Sequence, residues 1–208
     1  MLKRLVDIVL AFFALIILMP VFLIVMYKVR KNLGSPIFFL QERPGKDCKL
    51  FSMIKFRSMN NVVNQDGIPL PDDQRITPFG KKLRSTSLDE MPQLINVLKG
   101  EMSIVGPRPQ LAEFVEHYTT HQLRRHEVKP GMTGLAQVSG RNHLSWEEKF
   151  NLDVEYVENQ STLYDFKIMF KTVEVMLKKE GINAPDQSVG ATRFSGSDTS
   201  DSKSSSNH

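Results

Sequence analysis

An intramolecular disulfide is excluded at the outset, because the 208-residue chain carries one cysteine, Cys48, an economy that suits a reducing compartment. An internal repeat is also missing, as are a basic stripe and any nucleic-acid reading motif. The formal net charge of +4 therefore points to an anionic partner that is not nucleic acid. His117 and His121 stand four residues apart without a third metal ligand nearby, so together with His126 they read as the exposed side of a charged helix. Charge itself is absent from one long stretch, IVLAFFALIILMPVFLIVMY at residues 8–27, which has no ionisable side chain before Tyr27. That is the length of a membrane helix. It is long for a signal-peptide core and no small-residue cleavage site precedes Lys28, so it reads as an uncleaved anchor.

Lys3 and Arg4 precede the apolar run and Lys28, Arg30 and Lys31 follow it, so the positive-inside rule votes almost equally for both ends. Pro20 removes one helical hydrogen bond within the run and predicts a kink. Two geometries satisfy these facts: a helix that enters the bilayer, bends at Pro20 and returns to the same face, or a kinked single span.

After residue 31 the composition becomes that of a soluble domain of ordinary size. The stretch SPIFFLQERPGKDCKLFSMIKFRSM reads as two short strands around a turn at Pro44-Gly45, and residues 60–78 as a loop. Apolar spacing through Leu88, Met91, Leu94, Ile95 and Leu98 predicts a helix from Ser87 to a stop at Gly100. EMSIVGPRPQ supplies a strand and then Gly106-Pro107-Arg108-Pro109, a stiff turn that presents Arg108. A charged helix is expected over about 110–126, and a second short strand among the glycines at 131, 134 and 140. Ser145 and Glu148 have capping-box spacing ahead of a helix on which Trp146 packs into the core. On the last helix, near 161–180, Leu163, Phe166, Phe170, Val173 and Leu177 share a side that either packs on the core or lies in the membrane interface. Asp153 and Asp165 read as solvated surface. The serine-rich segment from 183 cannot bury enough apolar area to fold. The expected class is α+β and mainly helical, with an anchor at 1–31, a compact domain with short strands at 32–182 and a disordered tail at 183–208.

Within this frame SLDEMPQL, residues 87–94, sets two carboxylates side by side. Taken alone it reads as a helix start, with Ser87 and Glu90 in capping-box register and acidic residues favouring the helix dipole. Its neighbourhood argues for chemistry, since Lys81, Lys82, Arg84 and Arg108 lie close in sequence. One carboxylate can attack phosphorus while the other holds a hard divalent cation, and arginines match phosphate with forked donors. Adjacent helical residues point about 100° apart, so Asp89 and Glu90 need different roles. A non-catalytic membrane-anchored scaffold, or a basic binding protein, explains the anchor and tail but not this constellation.

FGKKLRSTSLDEMPQLINVLKGEMSIVGPRP (79–109), KFRSM (55–59) and KPGMTGLAQVSGRNHLSW (129–146) resemble the signatures of the bacterial sugar transferases, specifically the small monotopic polyprenyl-phosphate phosphoglycosyl transferases. The resemblance runs from the anchor to about residue 180. It implies a re-entrant helix hairpin broken at Pro20, where many relatives have Ser-Pro and this chain has Met19-Pro20, with amphipathic interfacial helices and the domain on the cytoplasmic face of the bacterial inner membrane. It implies Asp89 as the nucleophile on a UDP-sugar, Glu90 as a ligand of Mg²⁺, and undecaprenyl phosphate as the acceptor in a ping-pong reaction that releases UMP. Arg108 matches the phosphate-binding arginine of the family; Arg84, Lys55, Arg57 and Arg141 are further candidates for binding substrate, with Lys55 and Arg57 also suited to lipid headgroups. The compact form without extra domains resembles members that use an N-acetylated sugar.

Overall fold

The computed structural model describes residues 1–140, 144–178 and 194. Its first element, α1, runs from Leu2 to Leu33 as one helical element that includes Pro20, with Arg30 and Lys31 at its C-terminal end, where cations complement the helix dipole. Thirty-two residues give roughly 48 Å of helix, longer than the ~30 Å of bilayer hydrocarbon. The apolar run is not apolar for lipid alone. Ala11, Ala14, Leu15, Leu18, Phe22, Val25, Met26, Val29 and Leu33 recur every three or four residues, and this stripe packs against the rest of the protein. Leu5, Val9, Phe12, Phe13, Ile16, Ile17, Leu23 and Ile24 face outward and are exposed.

The ends of α1 are held by the same domain. Near its start, Lys3 Nζ donates to Asp165 at 2.6 Å, Arg4 donates to the carbonyls of Val97 and Leu98, and Asp7 accepts from the Ser103 hydroxyl and the Ile104 amide. Toward its other end, Phe22 packs between Phe38 and Phe56, with ring centroids 6.3 and 4.9 Å away.

Strands β1 (Phe38–Pro44) and β2 (Leu50–Phe56) form the expected hairpin, in antiparallel register from Phe38 opposite Phe56 to Pro44 opposite Leu50. The following loop contains one short helix, α2 (Asp72–Arg75), and leads to α3 (Pro78–Ser85). Next come a 3₁₀ turn at Leu88–Glu90 and helix α4 (Gln93–Lys99), which stops at Gly100 with φ +89°, a conformation glycine adopts without strain. Asn96, fully buried on α4, accepts from the Ile54 amide and donates to the Ser52 carbonyl, which locks the helix to the edge of β2. Strand β3 (Ser103–Val105) pairs in parallel with β4 (Gly131–Thr133). A Cβ on Gly131 would lie 2.1 Å from the Gly106 nitrogen, and one on Gly134 2.2 Å from the Gly106 oxygen, so these glycines permit the close crossing beneath the Pro-Arg-Pro turn.

Two expected helices are corrected. The helix placed at Ser87 starts only at Gln93, because Pro92 has no amide to donate and Ser87 takes a left-handed φ of 55°. The charged helix over 110–126 is broken into a 3₁₀ stretch at Ala112–His117, the short helix α5 (Thr120–Leu123) and a 3₁₀ turn at Arg124–His126. A Thr119–Gln122 capping box restarts the chain inside that segment.

Helices α6 (Leu135–Ser139), α7 (Trp146–Glu158) and α8 (Thr162–Lys178) complete the described elements. The Ser145–Glu148 capping box forms as expected. Asp153 and Asp165 are buried rather than solvated: Asp153 pairs with Arg125, and Asp165 with Lys3 and the Tyr156 hydroxyl. On α8 only Asp165 and Ile168 are buried, while Leu163, Phe166, Phe170, Val173 and Leu177 are exposed. Trp146 stacks on Phe150 in an aromatic cluster with Phe114 and Tyr118. Phe194, the one described residue of the serine-rich segment, is buried in that cluster; the rest of the segment lies outside the described residues.

Candidate active site

Four sequence candidates converge at one place. The 3₁₀ turn carries Asp89 and Glu90, β2 carries Lys55, and the Pro-Arg-Pro turn after β3 carries Arg108. At three residues per 3₁₀ turn, adjacent side chains diverge by about 120°. The carboxylates accordingly enter different surroundings.

Glu90 is clamped by cations. Its Oε1 accepts from Lys55 Nζ at 2.8 Å and from Arg108 Nη2 at 2.5 Å, and its Oε2 accepts from Arg108 Nη1 at 3.2 Å. The Arg108 contact is a forked pair. Burial opposes ionisation of Glu90, but Arg108 and Lys55 outweigh it and hold the carboxyl well below the usual range. Asp89 is 7% exposed, and burial, reinforced by the neighbouring Glu90 charge, pushes its carboxyl up to about 6 against the pull of Lys55, Arg84 and Arg108. Two adjacent carboxyl groups whose acidities are driven apart are suited to different tasks. The capping-box reading fails here, because Ser87 makes no side-chain cap bond and Glu90 turns to Lys55 and Arg108. The left-handed Ser87, immediately before the turn, is backbone strain stored beside the carboxylates.

Arg84 reaches the site electrostatically rather than by contact. Its Nε donates to Ser58 Oγ at 2.9 Å, and its charge acts on Asp89. Arg57 is not brought to the carboxylates: it is buried and donates to the Ser35 carbonyl at 2.7 Å, tying the end of α1 to the hairpin. Arg141 lies outside the described residues. Pro20 sits within α1.

Sequence reasoning passed over three residues that build the site. Arg125, 2% exposed, donates through Nε and Nη2 to Asp153 at 3.0 and 2.7 Å and through Nη2 to the Arg108 carbonyl at 2.6 Å. Its guanidinium also lies over the Tyr118 and Phe150 rings. It thereby fixes the backbone that presents Arg108. His126, expected on a surface, is buried with Nδ1 3.0 Å from the Gly45 carbonyl oxygen, and burial beside Arg125 pushes it down to about 4. Arg43 of β1 lines a recess with Lys55, Gln93 and Arg108. A basic residue next to the Pro44-Gly45 turn was the available signal for Arg43. Arg125 and Asp153 are 28 positions apart and gave none.

A carboxylate kept ionised by a lysine and an arginine, next to a second desolvated carboxylate, is an arrangement suited to chemistry on phosphate esters. Among known proteins, residues 1–179 match the family described as bacterial sugar transferase, and the chain belongs to that family. Among its relatives are an uncharacterized sugar transferase, EpsL, of Bacillus subtilis, 50% identical over 94% of this chain and 96% of its own length. Others are the UDP-galactose-lipid carrier transferase of Erwinia amylovora, 42% identical over 86% of this chain, and the UDP-glucose:undecaprenyl-phosphate glucose-1-phosphate transferase of Klebsiella pneumoniae, 41% identical over 82%. The chain spans nearly all of the Bacillus protein but about two fifths of the other two, at 41% and 39% of their lengths.

Proposed function

We propose that this protein is a polyprenyl-phosphate phosphoglycosyl transferase, moving a sugar phosphate from a UDP-sugar to undecaprenyl phosphate. The observation that carries the reading is the divergent pair: Glu90 held as an anion by Lys55 and Arg108, Asp89 desolvated beside it. In this mechanism an Asp89 carboxylate oxygen forms a bond to the sugar-linked phosphorus as the bond from that phosphorus to the UMP oxygen breaks. UMP leaves and an acyl phosphate remains. A phosphate oxygen of the lipid then attacks the same phosphorus, the acyl bond breaks and the Asp89 carboxylate is restored. Arg108 and Lys55, with Arg84 beyond them, stabilise the charge that gathers on the phosphoryl oxygens.

The donor set suits Mg²⁺. Asp89 and Glu90 offer hard carboxylate oxygens, and no cluster of three or more His, Cys, Asp or Glu lies among the described residues, which fits an ion that draws its other ligands from water and substrate phosphates. Glu90, giving up part of its contact with Lys55 and Arg108, would hold the Mg²⁺, which would supply charge neutralisation on the donor phosphates.

The membrane arrangement follows the same logic, because the acceptor is embedded and the donor dissolved. Contacts from Lys3, Arg4 and Asp7 at one end of α1, and from Phe22, Val25 and Val29 toward the other, reach a single domain, and this supports a re-entrant rather than a spanning helix. The domain then lies on the cytoplasmic face of the inner membrane, where nucleotide sugars are made.

Intact-protein mass spectrometry tests the mechanism. Incubation with Mg²⁺ and a donor, without lipid, should add the mass of one phosphosugar to the wild type and nothing to Asp89→Asn. The panel needs UDP-galactose and UDP-glucose, after the named relatives, and N-acetylated UDP-sugars, after the sequence reading. Turnover by Asp89→Asn at the wild-type rate would remove the nucleophile assignment.

A further inference from the structure

The recess beside Glu90 holds a cation that the mechanism above does not use. It is walled by Arg43, Met53 and Lys55 of the β1–β2 hairpin on one side and by Arg108, Pro109 and Gln110 of the turn on the other, with the buried Gln93 of α4 between them. Lys55 and Arg108 are committed to Glu90. Arg43 is not: its Nη2 donates to Gln41 Oε1 at 2.6 Å, its Nε is buried without a hydrogen-bond partner, and no described residue forms a salt bridge with it. Arg43, Lys55 and Arg108 thus line one recess, and none of its described lining residues is acidic. The mismatch registers on Arg43 itself, which burial and the nearby Arg108 charge push down to about 10 against the pull of Glu90, Tyr118 and Glu113. Holding a half-buried guanidinium with an unpaired Nε against a like charge is unfavourable unless an anion joins them.

We propose that Arg43 and Gln93, with Arg108 shared between them and the point of nucleophilic attack, form a neighbouring phosphate-monoester subsite. Neither carboxylate of the dyad, Asp89 or Glu90, is among the lining residues of the recess. It therefore takes the phosphate that is not being attacked: the phosphate of the departing nucleotide, or the headgroup phosphate of the lipid before its turn. The identity of these two anions rests on the transferase reading; the existence of an anion subsite does not.

The test uses the full chain, purified in detergent, as wild type, Arg43→Gln and Arg43→Lys. Affinities for UMP and for a short-chain isoprenyl phosphate are measured by calorimetry, with inorganic phosphate as competitor and thermal unfolding as the folding control. Arg43→Gln should weaken one of the two probes by about 10- to 100-fold, the size of a lost charge-assisted pair, while Arg43→Lys retains part of the affinity. The probe that is weakened identifies the source of the phosphate. Equal affinities of wild type and Arg43→Gln for both probes, or no phosphate binding by the wild type, would overturn the subsite. If Arg43→Gln does not fold, an Arg43→Lys protein that folds and binds both probes as tightly as wild type overturns it as well. Normal sugar transfer with unchanged affinities would sink the subsite and leave the transferase standing. Phosphate binding lost in Arg43→Gln, in a wild type that transfers no sugar, would do the reverse.

Discussion

At the scale of single residues, Asp89 is desolvated at the expense of stability. Its carboxyl is raised from 3.8 to about 6, chiefly by burial. A carboxyl that holds its proton more tightly when folded contributes stability fully below its unfolded pKa and loses it as pH rises through the folded one. Above pH 7 the ionised Asp89 is therefore a net cost, on the order of 3 kcal/mol for a shift of about two units. Asp89→Asn, neutral at every pH, should abolish sugar transfer while raising the melting temperature at pH 7.5, and the stability gap to wild type should shrink as pH falls toward 4. Calorimetric melts across that range check this; a variant less stable than wild type at pH 7.5 would contradict it. In the proposed mechanism Asp89 attacks as the carboxylate, so single-turnover rates in the wild type should rise with pH through about 6 and then level off. Asp89, Glu90, Lys55 and Arg108 were legible because each sits in a contiguous motif of distinctive chemistry. Arg43 was not, since its meaning depends on a recess formed by residues from β2, α4 and the Pro-Arg-Pro turn.

Among the elements, the hairpin, the Ser145 cap and the stop at Gly100 could be read because each depends on neighbours in sequence. Failure came where distant contacts decide. Asp153 looked like the polar side of a helix, yet it faces Arg125, which arrives from the broken segment before β4. Asp165 likewise meets Lys3 from the opposite end of the chain. The Arg125–Asp153 pair joins α7 to the Pro-Arg-Pro turn through the Arg108 carbonyl. Asp153→Asn leaves a buried guanidinium without its counter-ion and should destabilise the protein by about 3–5 kcal/mol. Chemical denaturation measures that loss. Sugar transfer should fall more than donor binding, because the turn that presents Arg108 loses its brace. On α8 the exposed Phe170 and Leu177 do not pack on the core, which leaves the membrane interface of the two places the sequence allowed them. If they dip into lipid, Phe170→Glu should lower the membrane-bound fraction in flotation assays without changing the folded core; unchanged flotation would place that face in water.

For the whole molecule, the decisive question is on which side of the bilayer the ends of α1 lie. Its polar N-terminal turn and its C-terminal half dock on one domain, so in a Cys48→Ser background single cysteines at Leu2 and Asn32 should both react with a membrane-impermeant maleimide in inside-out vesicles and be shielded in intact spheroplasts. Labelling from opposite faces would mean that the helix spans. The mainly helical α+β character and the long apolar N-terminal helix were visible in the sequence pattern. The sharing of α1 between lipid and protein was not, because an unbroken apolar run conceals which of its faces is filled by Phe22, Val25 and Val29 and which is left to the bilayer.

That shared helix also removes a distinction usually drawn between an enzyme and its tether. Ala11, Phe22, Val25 and Val29 are interior residues, packed on Met53, Phe56, Leu83 and Met91. Clipping residues 1–33 would not release a working enzyme but would strip one wall from its interior and expose the remainder to aggregation. Folding of the domain and docking of α1 are then a single event, and a chain whose α1 is not in place has an incomplete interior.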